Sequence, residues 1–574
     1  MVNLTIDGKS LSVPKGTTIM EAAASAGIHI PRLCYLKGVN EISACKVCVV
    51  EISGQDKVVT SCSTSVREGM IVFTNSPKAR KIRRTNVELI LSQHDCLCAT
   101  CVRSGNCSLQ TLSNDLGIYD IPFEREVADV PWNQNFPLIR DSKKCIKCMR
   151  CVQICDKVQA VHIWDVQNTG SRTTVDVAGN QEIEDSGCSL CGQCITHCPV
   201  GALKERNDVP KIYDALADAS KVTVVQVAPA VRTAWAEAFN IPEELATEGR
   251  MVAALKSIGF DYVFDTSFAA DVTIMEEGSE LIERLSAPDK YSWPMFTSCC
   301  PGWVSYMSSK FPEYIPNLST TKSPQQIFGA ITKSFFAQQK KLAPKNICSI
   351  SIMPCVSKKR EAELLSMRSS GTADVDIVIT TREFIRLLRA EHIDPLTLDE
   401  MPFDDPLGMS SGAGVIFGAT GGVMEAALRT AHYLLQGEEA PLDAFTTVRG
   451  QNHRKEGTFK LGSSSLRTCT VSGLGNTEKL LHDLKNGLVE YDFIEIMACP
   501  GGCVGGGGQP IHDGTEMADS RGHKLYCLDD ARPLRQSHNN PGVQILYKDF
   551  LTKPLSETAE HLLHSNHIKE KNYR

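Results

Sequence analysis

Cysteine carries most of the chemistry that this chain could perform, with 24 cysteines in 574 residues. Sixteen of them lie between Cys34 and Cys198, so they are clustered rather than scattered. Clustered cysteines at two-residue spacings are typical of metal ligands rather than disulfides. Metal ligation needs free thiolates, and the N-terminus carries no apolar signal-peptide core, so we expect a reducing, cytoplasmic location.

A four-cysteine run with the spacing C-x2-C-x2-C-x3-C occurs twice in the middle of the chain. The eight cysteines are Cys145, Cys148, Cys151, Cys155, Cys188, Cys191, Cys194 and Cys198. In proteins with this repeat, the first three cysteines of a run hold one 4Fe-4S cubane and the fourth ligates the other. The repeat therefore predicts two cubanes, with Cys198 completing the first and Cys155 completing the second. A pair of structural zinc sites is the alternative, although zinc requires neither the repeat nor the exchanged ligand.

Three later segments combine cysteine with proline, lysine or glycine. They are Thr297–Trp303 (TSCCPGW), Met353–Lys359 (MPCVSKK) and Met497–Pro510 (MACPGGCVGGGGQP). Each begins at the end of an apolar run, and ligand sites in α/β folds gather at the carboxyl ends of strands. Glycine removes side chains where the backbone must approach a bulky cofactor, although a flexible linker is the alternative for such a run.

These three segments closely resemble the signature motifs of FeFe-hydrogenases, and the resemblance extends over essentially the whole chain. It implies an H-cluster, a 4Fe-4S cubane joined to a two-iron subcluster that carries CO, cyanide and a bridging amine-dithiolate. The implied cubane ligands are Cys300, Cys355, Cys499 and Cys503. Cys503 would also bridge to the subcluster, and Lys358 would donate a charge-assisted hydrogen bond to a cyanide. The family's pocket positions correspond to Pro229, Ala230, Gln325, Met353, Phe417 and Met497, each of which could otherwise be an ordinary core residue.

The same resemblance implies a path for protons. Cys299, which the cubane does not need, would carry the proton away from the subcluster. The implied path continues through Glu277, Ser319, Glu280 and Arg284. Glu277 and Glu280 are three residues apart and Arg284 is four further on, which places them on one helical face. A surface helix with ordinary ion pairs is the alternative interpretation.

The N-terminal cysteines resemble sites shared by FeFe-hydrogenases and the large iron-sulfur subunit of respiratory NADH dehydrogenase. The resemblance implies a 2Fe-2S cluster on Cys34, Cys45, Cys48 and Cys62, for which zinc is the alternative. It implies a third accessory 4Fe-4S cluster on His94, Cys98, Cys101 and Cys107. A neutral imidazole ligand should raise the potential of that cluster, and Cys96 is the alternative to His94. Cys348, Cys469 and Cys527 match no site and are predicted to be ordinary thiols.

The helices and strands that must position these ligands are predicted to belong to domains of different fold classes. Alternating apolar residues and an Asp7-Gly8 turn predict a hairpin over residues 2–13, followed by a helix with a Thr18–Glu21 capping box. A further helix is predicted around Ile82–Leu91. Beyond residue 209, apolar runs alternate with helical stretches, which predicts buried parallel strands. Those runs are 222–227, 347–353 and 493–497.

The sequence predicts four domains in a multidomain α+β and α/β fold. They are a β-grasp 2Fe-2S ferredoxin domain (1–78), a helical His/Cys cluster domain (79–120), a two-cluster bacterial ferredoxin-like domain (121–208) and a two-lobed α/β H-cluster domain (209–574). The polar tail, residues 555–574, is predicted to fray apart from a short helix near His561.

Composition and local sequence argue against nucleic-acid binding, membrane insertion and dinucleotide binding. A hydrophobic content of 42% and a charged content of 22% are ordinary for a globular protein, and the net charge of -7 gives no sign of nucleic-acid binding. The longest uncharged stretch, Pro406–Met424, carries six glycines and is a poor membrane helix. Gly473-Leu474-Gly475 follows a strand-like run, but Glu478 stands where a dinucleotide fingerprint needs its third glycine. We therefore expect neither NAD nor flavin in this chain.

Two other functions fit the sequence less well. An electron-relay subunit of NADH dehydrogenase would explain the first 205 residues but not the three later segments. An iron-sulfur assembly protein resembling hydrogenase would lack the free cysteine and the proton path. Within the hydrogenase interpretation, Cys151–Ala160 and Gly170–Thr174 resemble the multimeric, electron-bifurcating type. Its partners would be ferredoxin, flavin- and NAD-binding subunits, and cluster maturation proteins. A stand-alone ferredoxin hydrogenase and the catalytic subunit of a hydrogen-dependent CO2 reductase stay as alternatives.

Overall fold

The computed structural model describes residues 1–239, 241–441, 443–450, 454–462 and 464–567. The chain forms two compact units. The first comprises Met1–Val158, His162–Ser186 and His197–Lys204; the second comprises Gln159–Val161, Gly187–Thr196 and Glu205–Arg574. In the part of the chain that the structure describes, no helix is both long enough and apolar enough to cross a membrane.

A five-stranded sheet opens the first unit. Its strands are β1 (Val2–Ile6), β2 (Lys9–Val13), β3 (Val49–Ile52), β4 (Val59–Thr60) and β5 (Met70–Phe73). The order is β2-β1-β5-β3-β4, with β1 parallel to β5. The predicted hairpin is confirmed, since Val2 pairs with Val13 across β1 and β2. Helix α1 (Ile19–Ser25) begins with the predicted Thr18–Glu21 capping box.

Short elements and long loops build the remainder of the first unit. They are α2 (Pro77–Ser92), α3 (Ser108–Asp115), β6 (Leu138–Arg140), α4 (Arg150–Gln153), β7 (Trp164–Gln167), β8 (Thr174–Val177) and β9 (Leu203–Glu205). Strand β6 pairs with β9 and β7 pairs with β8. The helix predicted around Ile82–Leu91 lies within α2, which begins earlier because Ser76 caps it and Pro77 occupies its first position.

Two four-stranded sheets organise the second unit. The first sheet contains β10 (Val222–Val227), β11 (Tyr262–Asp265), β13 (Ile347–Met353) and β14 (Ile377–Thr380), and the second contains β12 (Met295–Phe296), β15 (Arg454–Leu461), β16 (Ser464–Ser472) and β17 (Phe493–Met497). The orders are β11-β10-β13-β14, all parallel, and β12-β17-β16-β15, in which only β15 is antiparallel to its neighbour. The three apolar runs predicted as parallel strands coincide with β10, β13 and β17.

Helices cover the two sheets. They are α5 (Gln193–Thr196), α6 (Val209–Ala217), α7 (Glu248–Ile258), α8 (Thr266–Ser286), α9 (Pro301–Lys310), α10 (Pro324–Ile331), α11 (Ala337–Lys340), α12 (Ser357–Ala362), α13 (Thr381–Ala390), α14 (Gly412–Ile416), α15 (Gly422–Gln436), α16 (Leu474–Lys485), α17 (Ala518–Ala531), α18 (Pro541–Leu546) and α19 (Glu557–Leu563). All seven residues of β13 are buried, as expected for a central parallel strand covered on both faces. The multidomain α+β and α/β fold class is therefore confirmed.

The tail differs from its prediction. Helix α19 contains His561, as expected, but the residues that follow it are packed rather than frayed as far as His567. His564 and His567 are both buried. The backbone there pairs with residues 320–322: Lys322 N donates to the Leu563 carbonyl and Ser565 N donates to the Thr320 carbonyl, both at 2.8 Å. Local polarity could not reveal this long-range pairing. Residues 568–574 lie outside the described residues.

Candidate active site and cluster sites

The four cysteines assigned to the 2Fe-2S cluster are all buried in the first unit. They are Cys34, Cys45, Cys48 and Cys62. The thiol of Cys34 lies against that of Cys45, and the contact lowers the pKa of Cys45 to about 6. The thiol of Cys48 likewise lowers the pKa of Cys62 to about 6. Two close sulfur pairs in a buried pocket are compatible with a compact cluster, whose positive charge would replace the thiol protons.

His94 lies buried after the end of α2, and within the described ranges its Nδ1 has no hydrogen-bond partner. Burial lowers the pKa of His94 to about 4, so the imidazole is neutral at neutral pH, as an iron ligand must be. The other three predicted ligands, Cys98, Cys101 and Cys107, are half-buried. Cys96 is also half-buried, and its sulfur lies 3.5 Å from the His94 carbonyl oxygen. The choice between His94 and Cys96 stays a prediction.

Four of the eight repeated cysteines line one cavity in the first unit, with about 430 Å³ of empty space. They are Cys145, Cys148, Cys151 and Cys198. This is the set predicted for the first cubane, including the exchanged fourth ligand. Of the second set, Cys188, Cys191 and Cys194 belong to the second unit and Cys155 to the first. Their shared cluster stays a prediction.

The three later segments converge in the second unit. Each follows a parallel strand: Thr297 follows β12, Pro354 follows β13 and Ala498 follows β17. Together they line one cavity between these strand ends. Five cysteines line it: Cys299, Cys300, Cys355, Cys499 and Cys503.

The donor chemistry of this cavity fits an iron-sulfur cofactor. Burial raises the pKa of Cys355 to about 12 and raises the pKa of Cys503 above its ordinary value. Unoccupied thiols would therefore stay protonated here, and only a cluster with its own positive charge would hold them as thiolates. Gly502 lets two backbone segments of the cavity wall pack closely, because a Cβ there would lie 2.8 Å from the Thr420 nitrogen.

All six predicted pocket residues line the same cavity. They are Pro229, Ala230, Gln325, Met353, Phe417 and Met497. Pro229 and Ala230 follow β10, and Met353 and Met497 end β13 and β17, so the strand ends supply most of the wall. Sequence reasoning did not name Ala228, Thr266, Ala270 or Gly418, which also line the cavity. Ala228 precedes Pro229, which the sequence analysis did name, and this adjacency was the clearest sequence signal that Ala228 would also line the cavity.

Lys358 lies in the cavity wall at the start of α12. Its Nζ donates to the Cys299 carbonyl at 3.2 Å and pairs with Glu361 at 3.0 Å. Burial alone would lower the pKa of Lys358, but Glu361 together with Cys355 and Cys299 raises the pKa above the ordinary value. The lysine is therefore a fixed positive charge beside Cys299. Gln325 donates to Glu361 at 3.1 Å and so holds this pair in place.

The predicted proton-path residues lie on α8 and on the segment after β12. The Glu280 carboxylate accepts from the Ser319 hydroxyl at 2.7 Å and from Arg284 at 2.6 Å. Glu277 lies one turn away, and neither of its oxygens makes a well-formed hydrogen bond. The Ser319 hydroxyl is close enough to Glu277 to lower its pKa slightly, but burial and the charge of Glu280 dominate and raise that pKa to about 8. All four residues are buried, which the surface ion-pair alternative does not explain.

Cys299 is the buried thiol at the end of this arrangement. Burial raises its pKa well above the ordinary value, and the charges of Glu277 and Cys300 raise it further. The side chain is therefore a neutral thiol that lines the cavity on one side and lies close to Glu277 on the other. This arrangement can hold and pass a proton, whereas the other four cysteines of the cavity remain available to bind iron.

Five family profiles match the chain. The profile described as iron only hydrogenase large subunit, C-terminal domain, matches residues 221–507. The others are a 2Fe-2S iron-sulfur cluster binding domain (1–77), the NADH-ubiquinone oxidoreductase-G iron-sulfur binding region (83–122), a 4Fe-4S dicluster domain (144–202) and the iron hydrogenase small subunit (515–570).

Three relatives cover most of the chain. The NADP-reducing hydrogenase subunit HndD of Solidesulfovibrio fructosivorans is 44% identical over 99% of this chain and 99% of its own length. Iron hydrogenase 1 of Clostridium pasteurianum is 36% identical over 99% of this chain and 100% of its own. Cytosolic iron-sulfur assembly component 3 of Rattus norvegicus is 31% identical over 74% of this chain and 93% of its own.

A solved structure of the apo FeFe-hydrogenase from Chlamydomonas reinhardtii is also similar. It is 40% identical, covers 62% of this chain and 98% of its own, and superposes with a TM-score of 0.56. The large-subunit profile spans half of the chain and two hydrogenases align with nearly all of it. The chain therefore belongs to the FeFe-hydrogenase family.

Proposed function

We propose that this hydrogenase is the catalytic subunit of a multimeric, electron-bifurcating complex. It interconverts H2 with two protons and two electrons, and the electrons pass through four accessory clusters to partner subunits. One observation supports the catalytic part above all others: three cysteine segments from three strand ends line one cavity, with a fifth cysteine, Cys299, beside the four that are assigned to iron.

The proposed cofactors are one 2Fe-2S cluster, three accessory 4Fe-4S clusters and the H-cluster. Cys300, Cys355, Cys499 and Cys503 would hold the H-cluster cubane, and Cys503 would be the protein ligand of the two-iron subcluster. When bound, the H-cluster supplies the cleavage of H2 and the transfer of its electrons. The CO, cyanide and dithiolate ligands of the subcluster belong to the same proposal.

The chain's own residues hold and orient the subcluster. Lys358 places a fixed positive charge where an anionic cyanide would lie, and Glu361 keeps the lysine charged and restrains its direction. Apolar residues such as Phe417 and Met497 exclude water from the rest of the cavity. Exclusion of water strengthens the electrostatic interactions inside, because the effective dielectric constant is lower.

Protons move along α8 in this proposal. Cys299 gains a proton at Sγ as its own thiol proton passes to one oxygen of the Glu277 carboxyl, and the other oxygen of that carboxyl releases its proton. A pKa of about 8 lets Glu277 both hold and release a proton near neutral pH. Ser319 and Glu280 receive the proton next, and Arg284 keeps Glu280 in position through a hydrogen bond of 2.6 Å.

The proposed partners are ferredoxin and subunits that bind flavin and NAD or NADP. The relative HndD is named as a subunit of an NADP-reducing hydrogenase, which supports a multimer and leaves the choice of nucleotide to the partner. A stand-alone ferredoxin hydrogenase and a subunit of a hydrogen-dependent CO2 reductase are the alternatives. The need for free thiolates supports a cytoplasmic location.

Anoxic production with and without FeFe-cluster maturation factors tests the proposal. Because Cys503 is the only protein ligand of the two-iron unit, protein made without the factors should carry its cubanes but evolve no H2. Cys503→Ser should be equally inactive with the factors present. Cys527→Ser is the matched control, since Cys527 is an exposed thiol on α17, and it should keep full activity. Full H2 evolution in a host that lacks the factors would contradict the assignment.

Affinity purification of the tagged chain from its native host, again without oxygen, tests the multimer. Flavin and NAD-binding subunits should copurify in fixed ratio to the chain. A pure single chain that trades electrons only with ferredoxin would favour the stand-alone alternative, and copurified formate-handling subunits would favour the CO2 reductase.

A further inference from the structure

The C-terminal segment places a histidine beside the outer end of the proposed proton path. The backbone of residues 563–565 pairs with that of residues 320–322, and this pairing sets His564 against Thr320. The Nδ1 atom of His564 lies 2.8 Å from the Thr320 hydroxyl oxygen. Thr320 in turn donates its backbone N–H to the Glu280 carboxylate at 3.1 Å. Thr320 alone therefore separates His564 from the last carboxyl of the path.

Glu276, the α8 residue before Glu277, fixes the tautomer of this histidine. Its buried carboxylate lies 3.1 Å from His564 Nε2. The same carboxylate accepts from the Tyr547 hydroxyl at 2.5 Å and from the Leu555 N–H at 2.9 Å. An ionised carboxylate can only accept, so Nε2 of His564 carries the hydrogen and Nδ1 keeps its lone pair. The Thr320 hydroxyl then donates to Nδ1.

Thr320 is the exposed member of this group, whereas Glu280, Arg284 and His564 are buried. Its hydroxyl oxygen lies 3.5 Å from a carboxylate oxygen of Glu280. Hydrogen bonds that carry a proton during a reaction are often longer than this ideal before the proton arrives. Thr320 therefore joins a buried carboxyl on one side, a buried imidazole on the other, and solvent.

We infer that His564 is the terminal proton acceptor of the path, that it takes its proton from Glu280 through the Thr320 hydroxyl, and that Glu276 is its positioning residue. The inference rests on the proposed function, because it extends the proposed proton path. Imidazole suits the role, since it is the side chain that ordinarily gains and loses a proton near neutral pH. Glu276 supplies the negative charge that balances the imidazolium in a buried site.

Each step exchanges one O–H or N–H bond for another. During H2 oxidation, the Glu280 carboxyl gives its proton to the Thr320 oxygen while the Thr320 hydroxyl proton passes to Nδ1 of His564. Glu280 is then a carboxylate, and His564 is an imidazolium paired with Glu276. The imidazolium returns its proton to the Thr320 oxygen as that hydroxyl releases a proton to water, which restores every group. H2 evolution runs the same transfers in the opposite direction.

Other titratable groups around His564 either keep a fixed charge at neutral pH or lie in solvent. Burial raises the pKa of Tyr547 well above its ordinary value, so the phenol stays protonated. Burial lowers the pKa of His567 to about 4, so that imidazole stays neutral. Lys322 pairs with Asp374 at 3.2 Å. The exposed groups on α19 are Glu557, Glu560 and His561.

His564→Ala tests the inference, and His561→Ala is its matched control, because His561 is an exposed histidine on α19. H2 oxidation with a viologen acceptor is measured on matured protein in weak buffer. His564→Ala should keep the CO and cyanide infrared bands while its turnover falls several-fold, and His561→Ala should match the parent. Added imidazole should restore the turnover of His564→Ala. Pyrazole has a ring of the same size but is a far weaker base, so it should not.

A second readout does not depend on activity. Deuterium exchange at the C2 carbon of histidine, followed by mass spectrometry, reports the protonation of each histidine in the intact protein. The pH at which His564 gains its proton should fall in Glu276→Gln, because a neutral amide cannot balance an imidazolium. Glu283→Gln, at an exposed position of the same helix α8, should leave that pH unchanged.

Three outcomes would overturn the inference. Parental turnover of His564→Ala in weak buffer would mean that protons pass from Glu280 directly to water. Equal restoration by imidazole and by pyrazole would mean that His564 only fills space. An unchanged titration of His564 in Glu276→Gln would remove the positioning role of Glu276.

A second variant covers the case in which His564→Ala fails to fold. The amide of His564→Gln can still donate to Glu276 but cannot take up a proton, so the same several-fold loss is expected, and parental turnover would again overturn the inference. Lack of both H2 oxidation and the infrared bands in the parent protein would instead contradict the proposed function.

Discussion

Burial keeps the Cys299 thiol and the neighbouring Glu277 carboxyl protonated. The Cys299 thiol and the Glu277 carboxyl both have a raised pKa, Glu277 to about 8, so both carry a proton at neutral pH. A relay in which Cys299 gains one proton as it gives its own to Glu277, and Glu277 gives its proton onward, leaves both groups neutral and avoids the cost of an unpaired charge in a buried site. The one strong positive charge nearby, on Lys358, is balanced by Glu361. The site can therefore move protons without creating a buried unpaired ion.

Replacement of Cys299 by alanine should stop this transfer while leaving the cofactor in place. Four other cysteines line the cavity, so iron content and the CO and cyanide infrared bands should be unchanged. A methyl group cannot carry a proton, and a positioned proton donor contributes about 10²–10⁴-fold. We expect H2 evolution to fall by about a hundredfold or more, measured on the same preparation as the infrared bands. Turnover close to that of the parent, with the bands intact, would remove Cys299 from the proton path.

The charge of Glu277 can be measured directly. A carboxyl whose pKa is raised to about 8 is protonated below that pH and ionised above it. The carbonyl stretch of a protonated carboxyl should therefore be present at neutral pH and disappear as the pH rises through about 8. Glu277→Gln should lack this band at every pH. Glu283→Gln, which changes an exposed glutamate of the same helix, should retain it. A band lost already in mildly acidic buffer would contradict the buried, neutral state.

At the scale of elements, strand ends explain why the sequence was informative about the site. Apolar runs of five to seven residues predicted β10, β13 and β17, and the structure has them at the same bounds. Parallel strands end at the same edge of a sheet, so residues that follow them in sequence meet in space. Most cavity-lining residues named in advance therefore lay in, or next to, a motif or a strand end, whereas Gln325 on α10 and Phe417 after α14 came from the family resemblance alone.

Other supports of the site had no local motif. Helix α17 packs against α14, and the Tyr526 hydroxyl donates to the Thr420 carbonyl at 2.9 Å, which supports the turn after Phe417. Behind that turn, Asp529 accepts from Arg429 at 2.9 Å and from Arg449 at 3.1 Å. These partners are separated by 80 to 100 residues, and pairings of that range follow from the tertiary fold rather than from spacing. The packed tail at His564 was missed for the same reason.

Asp529→Asn should therefore destabilise the second unit. Asp529 and Arg429 are both buried, and removal of one partner from a buried ion network typically costs about 3–5 kcal/mol. Asp530→Asn is the matched control, because the Asp530 side chain is 60% exposed and pairs with Arg535 at 3.0 Å. Exposed pairs contribute about 0–1 kcal/mol. Thermal inactivation under anoxic conditions should occur at a clearly lower temperature in Asp529→Asn than in Asp530→Asn, and equal temperatures would show that the network does not stabilise the fold.

For the whole molecule, the question is where the electrons go after the accessory clusters. Gly473 lies between β16 and α16, and Leu474 and Gly475 begin α16, so this segment joins a strand to a helix as the sequence predicted. A dinucleotide pyrophosphate would bind the free N–H groups at the start of such a helix. Here the Leu474 amide already donates to the side-chain oxygen of buried Gln159 at 2.9 Å. This contact agrees with the prediction that the turn does not bind NAD.

The isolated chain should accordingly reduce viologen dyes with H2 but reduce neither NAD nor NADP. Viologens accept electrons one at a time from exposed clusters, whereas nicotinamide reduction requires a hydride, which a flavin in a partner subunit would assemble from two single electrons. The measurement is H2-dependent absorbance change with each acceptor, on matured protein purified as a single chain. The complex purified from the native host is the positive control and should reduce the nucleotide. Gln159→Ala frees the Leu474 amide and should gain no nucleotide reduction, because Glu478 still replaces the third glycine. Rapid NAD or NADP reduction by the pure single chain would contradict the prediction that the Gly473 turn binds no dinucleotide. It would also contradict the proposal that a partner subunit reduces the nucleotide.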